Sequence, residues 1–392
     1  MLSNVTPYPP NGGVHLRIFN LLQRIAARHE VTLGCHSWGP EDLEGADWLN
    51  RNGLRTITGP LVAANWRHVA PAIGGMVSGQ PPEVVQYQSP QLRALIARER
   101  FDVIQVEETL LAPYVTAVPR APDTKAVMTF HNVHFVQEQR IADIERSGPH
   151  RLWRGLNARM MRRYEPAIAR QFDRNITVSQ ADRALLLGEA PELAVDVLPN
   201  GVDAQALRPL PPPTGKPAIV FVGTLNYLPC TDAVLWLARA ILPILRRRFP
   251  DLELWIVGKS PPPDVQALAG EGVFVTGHVP DVTPYYQRAA VAVVPLQAGG
   301  GSRLKILEAM ALGRPVVSTT VGAEGIEVTS GRDILLADEA GAFAEAVARL
   351  LTEDRLWDAV AQAARRFVEA HHDWDQIAAK QLAIYDQLAP TS

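Results

Sequence analysis

Short β-rich runs alternate with helix-patterned stretches along nearly the whole chain, and the alternation is broken once by a run of prolines. In the first half, strands are expected at 31–35, 55–58, 103–106, 126–130, 175–178 and 195–198, with helical stretches at 14–28, 91–100 and 153–169. Strands separated by helices need crossover connections, which lay them parallel in one sheet. The break is Leu207-Arg-Pro-Leu-Pro-Pro-Pro-Thr-Gly-Lys-Pro217. Proline fixes φ and lacks an N–H, so this segment reads as a linker rather than helix or central strand. The alternation then restarts, with strands expected at 219–222, 254–257, 273–276, 291–294, 316–318 and 334–336 and helices at 231–248, 303–312 and 342–351. A last helix is expected at 374–388.

The fold class that follows is α/β, with two Rossmann-like, doubly wound parallel-sheet domains. Their expected bounds are 1–203 and 217–372, joined by a linker at 204–216, with the C-terminal helix of 373–392 crossing back to the first domain. Such sheets bind ligands beyond the carboxyl ends of their strands. Two of them facing each other would bring both edges to a central cleft.

Composition narrows the function. At 392 residues and 47% hydrophobic, the chain can build two cores, which excludes disorder. Up to Asp203 there are 21 basic and 21 acidic residues, and after it 17 against 20, so neither half suits a nucleic-acid backbone. Cys35 and Cys230 form neither a disulfide framework nor a metal-binding spacing, which suits a reducing compartment. The start, MLSNVTPYPPNGG, lacks the basic and apolar regions of a signal peptide, and no run approaches ~18 consecutive apolar residues. The expected location is cytoplasmic. The arginine-rich stretch 151–166 leaves peripheral contact with an anionic inner membrane face open, against the plainer reading of a solvated helix face.

The segment with the clearest chemistry is Pro295-Leu-Gln-Ala-Gly-Gly-Gly-Ser-Arg-Leu-Lys-Ile-Leu-Glu308. A strand end feeds the glycines Gly299 to Gly301, Ser302 is placed to cap, and a helix is expected from Arg303. Bare amides at a helix start hold phosphate. Arg303 and Lys305 put two cations where the helix dipole disfavours them, by about 0.3–1 kcal/mol each, and no acid offsets them in that turn. Either they await an anion or they are simply solvated. Two apart on a regular helix, they would lie on nearly opposite sides, so only one, Arg303 by its fork geometry, is expected at the phosphate. Glu308 either reaches a sugar hydroxyl or pairs with Lys305.

These residues belong to a longer set of motifs. The set runs through Thr6-Pro-Tyr-Pro-Pro-Asn-Gly-Gly13, Phe130-His131-Asn132, Val178-Ser-Gln-Ala-Asp182, Leu198-Pro-Asn-Gly-Val-Asp203, Phe221-Val-Gly-Thr224, Gly277-His-Val-Pro-Asp281 and Glu308-Ala-Met-Ala-Leu-Gly313. In this order the chain resembles family 4 of the retaining, GT-B-fold glycosyltransferases (glycosyl transferases group 1). The resemblance implies that Glu308, at the second Glu of the family's E-x7-E motif, holds the donor ribose. Gly300 stands at the first Glu, a departure that leaves the donor sugar undetermined and gives its contacts to the amides of Gly300, Gly301 and Ser302. The Arg and Lys usual after the second domain's first strand are missing from 223–232, which makes Arg303 and Lys305 their replacements. His131 matches the active-site histidine. Gly12 and Gly13 suit a diphosphate or acceptor, although a plain turn would use them too. Gly223, Gly258 and Val279 fall in donor-flanking loops, Leu304 in the helix start is a further donor-binding expectation, and Lys259 is either in those loops or solvated. Asp373-Trp-Asp375 precedes a helix rather than ending a strand, so a cap is expected there and no metal.

The expected activity is metal-independent transfer of a sugar from a UDP- or GDP-linked donor to a glycan, lipid-linked or small-molecule acceptor, with retention. No cofactor beyond the donor is expected and no nucleic acid. The catalytic expectations are His131 and Arg303. The alternatives are a GT-B nucleotide-sugar 2-epimerase and a non-catalytic nucleotide-sugar or glycan-binding protein.

Overall fold

A computed structural model describes the chain apart from residues 61–79, 83, 85, 86, 88, 120, 301, 302 and 390–392. It holds two parallel sheets. The first has seven strands: β1 (Leu2–Ser3), β2 (Thr32–Ser37), β3 (Arg55–Pro60), β4 (Val103–Val106), β5 (Lys125–Phe130), β6 (Arg174–Thr177) and β7 (Val195–Val197), in the order β3-β2-β1-β4-β5-β6-β7. The second has six: β8 (Ala218–Val222), β9 (Glu253–Val257), β10 (Val273–Val275), β11 (Val291–Val294), β12 (Val316–Ser318) and β13 (Leu335–Leu336), in the order β10-β9-β8-β11-β12-β13. Both orders reverse beside the first strand, between β1 and β4 and between β8 and β11. That reversal is the point where doubly wound sheets take ligands. Every expected strand is present within two residues, and the helix Trp374–Leu388 spans the expected range.

The chain forms two compact units. One comprises Met1–Gln139, Leu152–Asn200 and Trp374–Ser392; the other comprises Arg140–Arg151 and Gly201–Asp373. In the first, the helix Trp374–Leu388 packs beside the helix Gly13–Ala26, burying Trp374, Ile377, Ala378 and Leu382. In the second, the valine and isoleucine strands meet the helix Leu304–Ala311 and the long helical run Leu228–Arg248. That run is long and apolar enough to cross a membrane by length and composition. Half of its most apolar window is buried, because Ala233, Val234, Leu237 and Ile241 face the sheet core.

Candidate functional site

In the second unit the loops after β8, β9 and β11 converge at the reversal of strand order. Gly223 follows β8 and donates its N–H to the Val257 carbonyl at 2.9 Å. Gly258 follows β9 and donates to the Gly277 carbonyl at 3.2 Å. A Cβ on Gly258 would fall 1.7 Å from the Gly223 carbonyl oxygen, and one on Gly223 would fall 2.6 Å from Lys305 Nζ. Only glycine allows these loops and the lysine to come so close.

The helix after β11 starts at Leu304, one residue later than its sequence suggests, and Arg303 is its N-cap, with φ −91° and ψ 94°. This corrects the expected separation of the two cations. A residue outside the helix does not obey the helical wheel, and the Arg303 and Lys305 charges lie within electrostatic reach of each other and of Cys230. Lys305 Nζ lies 3.6 Å from Cys230 Sγ and 4.5 Å above the Phe221 ring. Arg303 Nη1 donates to the Gly300 carbonyl, while its Nε and Nη2 are buried with no hydrogen-bond partner among the described residues. Glu324, a carboxylate whose charge reaches Arg303, is itself paired with Arg140. Burial lowers the pKa of both Arg303 and Lys305. Two half-buried cations therefore sit at this loop, and the two buried nitrogens of Arg303 lack acceptors, an arrangement that a bound anion would relieve.

Glu308 lies one turn further on and accepts from the Tyr286 hydroxyl at 3.3 Å rather than pairing with Lys305. Burial pushes its carboxyl up to about 7. Leu304 is the first helical residue and packs on the core. Val279 is half-buried against the same core. The Lys259 carbonyl accepts from Leu225 N at 3.0 Å. Gly301 and Ser302 lie outside the described residues. Among the described residues, no group of three His, Cys, Asp or Glu is placed to hold a metal ion, and Asp375 pairs with Arg24.

The first unit holds Gly12, Gly13 and His131. Gly12 is the extended N-cap of the helix Gly13–Ala26, and its carbonyl accepts from Leu16 N at 2.8 Å. His131 follows β5 and is 6% exposed, with Nε2 3.0 Å from the Glu107 carboxylate. Arg17, on that first helix, explains the Leu198-Pro-Asn-Gly motif: its buried Nη1 donates to the Pro199 carbonyl at 2.9 Å and to Asn200 Oδ1 at 3.0 Å. Sequence reading missed Arg17 and Glu107. A signal was available for Glu107, because Gln105 and Glu107 interrupt an otherwise apolar buried strand run. The helix Gly148–Ala169 leaves Leu152, Trp153 and Leu156 exposed among its arginines.

The family model described as Glycosyltransferase Family 4 matches residues 11–206, and that described as glycosyl transferases group 1 matches residues 216–353. Over 226 residues the chain is 29% identical to a phosphatidyl-myo-inositol mannosyltransferase of Mycolicibacterium smegmatis, covering 55% of this chain and 57% of that protein. Over 307 residues it is 29% identical to a glycogen synthase of Mycobacterium tuberculosis, covering 73% of this chain and 69% of that protein. Among solved structures, a sucrose-phosphate synthase of Thermosynechococcus elongatus matches with a TM-score of 0.75 at 21% identity, covering 99% of this chain and 98% of that one. HepE of Anabaena, in complex with UDP and glucose, matches with 0.70 at 14% identity, covering 98% of each. The two sheets and these structural neighbours make the fold a two-domain α/β GT-B fold. With one family model covering half of its length and a second covering the sheet that carries Arg303, Lys305 and Glu308, the chain belongs to glycosyltransferase family 4, the group 1 glycosyl transferases.

Proposed function

We propose that the protein transfers a sugar from a nucleoside-diphosphate sugar to an acceptor hydroxyl with retention of anomeric configuration and without a metal. The observation that carries this is the Arg303–Lys305 pair: two half-buried cations, one with two buried, unpartnered guanidinium nitrogens, at the strand-order reversal of a parallel sheet. A diphosphate leaving group gains negative charge as the glycosidic bond breaks. Fixed donors aimed at that charge stabilise the transition state more than the bound donor. The guanidinium fork and the ammonium supply the neutralisation for which other enzymes use a metal ion. Glu308 is the acceptor for ribose hydroxyls, with Tyr286 orienting it. Gly223, Gly258 and Gly300 bring backbone close to the nucleotide, and Val279 and Leu304 border it; Gly301 and Ser302, expected at the donor, lie outside the described residues. Gly12, Gly13 and His131, in the first unit, are the residues we assign to acceptor and sugar recognition.

Named relatives and neighbours include a GDP-mannose-dependent mannosyltransferase of Mycobacterium tuberculosis and HepE in complex with UDP-glucose. Their names support a UDP- or GDP-linked donor. The test is nucleotide binding followed by release of nucleoside diphosphate, with EDTA present throughout. Arg303→Ala is expected to lower kcat by ~10²-fold, the scale of a lost electrostatic donor, and Lys305→Ala by a comparable factor. Full turnover in both variants would overturn the phosphate site. Loss in EDTA restored by manganese would overturn metal independence. Binding without turnover would favour a binding protein, and an isomerised donor without release of diphosphate would favour an epimerase.

A further inference from the structure

Two neighbouring strands of the first sheet carry polar side chains where a buried parallel strand is ordinarily apolar. Gln105 on β4 and Glu107 just after it are 3% and 1% exposed, and Thr129 on β5 is fully buried. Side chains two apart share a face of a strand, and the register sets Gln105 beside Val127 and Val106 beside Met128. The three polar groups meet. Gln105 Nε2 donates to Thr129 Oγ1 at 3.1 Å and also to Glu107 Oε1. Glu107 Oε2 lies 3.0 Å from His131 Nε2, close enough to pair but not aligned as a hydrogen bond, and neither of these two buried atoms has a hydrogen-bond partner among the described residues. The helix Trp374–Leu388 closes the other end. Gln381 Nε2 donates to Gln105 Oε1 at 2.7 Å, and the Tyr385 hydroxyl donates to the same oxygen. A continuous line of buried polar groups thus runs from the C-terminal helix to His131.

We propose that Glu107 is a positioning residue for His131, fixing the imidazole as its Nε2–H tautomer with Nδ1 left as the ring's acceptor, and that Gln105, Gln381 and Tyr385 hold the Glu107 carboxylate in place. Neutral imidazole has two tautomers, and a carboxylate selects between them because it only accepts. Burial alone would raise the Glu107 carboxyl. The adjacent His131 ring, the Arg17 guanidinium and the Gln105 amide outweigh that and keep it below the usual carboxylate range. A carboxylate behind a working histidine sets its tautomer and ring orientation without itself taking the proton. The inference rests on the reading of His131 as a site residue.

The test uses the full chain labelled with ¹⁵N-histidine, with the His131 signals assigned by their loss in His131→Asn. The wild-type ring is expected as the Nε2–H tautomer. In Glu107→Gln the carboxamide can donate as well as accept, so the His131 nitrogens should move toward a tautomer mixture or its Nδ1–H form. Turnover of the donor should fall by about tenfold or more while donor KM changes by less than about twofold, the pattern of a lost transition-state contribution. Tyr385→Phe should shift the same nitrogens less, in the same direction, and keeps the question open to measurement if Glu107→Gln fails to fold. Unchanged His131 nitrogens in both variants would overturn the inference, as would an altered tautomer with full turnover. If the wild type turns over no nucleotide sugar, the proposed activity fails, and the tautomer measurement still decides whether Glu107 sets the ring.

Discussion

At the scale of single residues, close approach decides what can stand at the nucleotide site. Gly223 has no positive φ to defend, and its constraint is the Lys305 ammonium, 2.6 Å from where a Cβ would be. Gly223→Ala is therefore expected to push Lys305 off its position above Phe221. Nucleoside-diphosphate affinity should fall by about tenfold or more with little change in melting temperature; unchanged affinity by calorimetry would clear Gly223 of this role. Glu308 makes a different prediction. Its carboxyl is pushed up to about 7 by burial, so much of it is protonated in slightly acidic solution. A charged acceptor binds ribose hydroxyls more strongly than a neutral one. Affinity should thus rise between about pH 6 and about pH 8, and Glu308→Gln should flatten that rise and weaken binding by about 1–3 kcal/mol. A Glu308→Gln profile parallel to the wild type would remove Glu308 from the ribose.

At the scale of elements, the helix Gly148–Ala169 tethers the start of its neighbour. Glu165, fully buried on the former, accepts from His134 N and Phe135 N, both at 3.1 Å, at the first turn of the helix His134–Ile144. Two otherwise open amides are satisfied from across the fold. Burial nonetheless raises the Glu165 carboxyl from 4.5 to about 7. The folded state therefore holds a proton that the unfolded chain gives up sooner. The stability from this group is fully present below about pH 4.5 and is lost as pH rises through about 7, on the order of 3 kcal/mol in all. Glu165→Gln removes the titration, so the stability of wild type relative to the variant should decline across that window and level off above it. Urea unfolding at several pH values checks this, and a difference independent of pH would refute it.

At the scale of the whole molecule, the chain leaves its first unit a second time at Asn200 and returns to it at Trp374. Trp374 is 2% exposed at the point of return. Trp374→Ala should cost about 3–5 kcal/mol, the scale for a buried large aromatic. Hydrogen exchange should locate the loss: amides of the helix Gly13–Ala26, on which the returning helix packs, should lose protection, while those of β8 to β12 keep theirs. Equal loss in both would show that the two units unfold together.

How much of this was legible in the sequence differs between strands and side chains. Strand and helix positions, the two sheets, the glycine loop before Leu304 and the family membership all follow from periodicity, prolines and motif order. Those depend on residues near one another in the chain, and local backbone preference carries them. The convergence of Arg303 and Lys305 did not follow, because one residue's shift of a helix start turns a helical-wheel argument around. Nor did the partner of Glu308, since Tyr286 lies on another element. The line from Tyr385 through Gln105 and Glu107 to His131 joins residues up to 280 positions apart. Only tertiary structure decides such contacts, because what makes a buried carboxylate or guanidinium reactive is which distant groups keep water away and which donors and acceptors they leave behind.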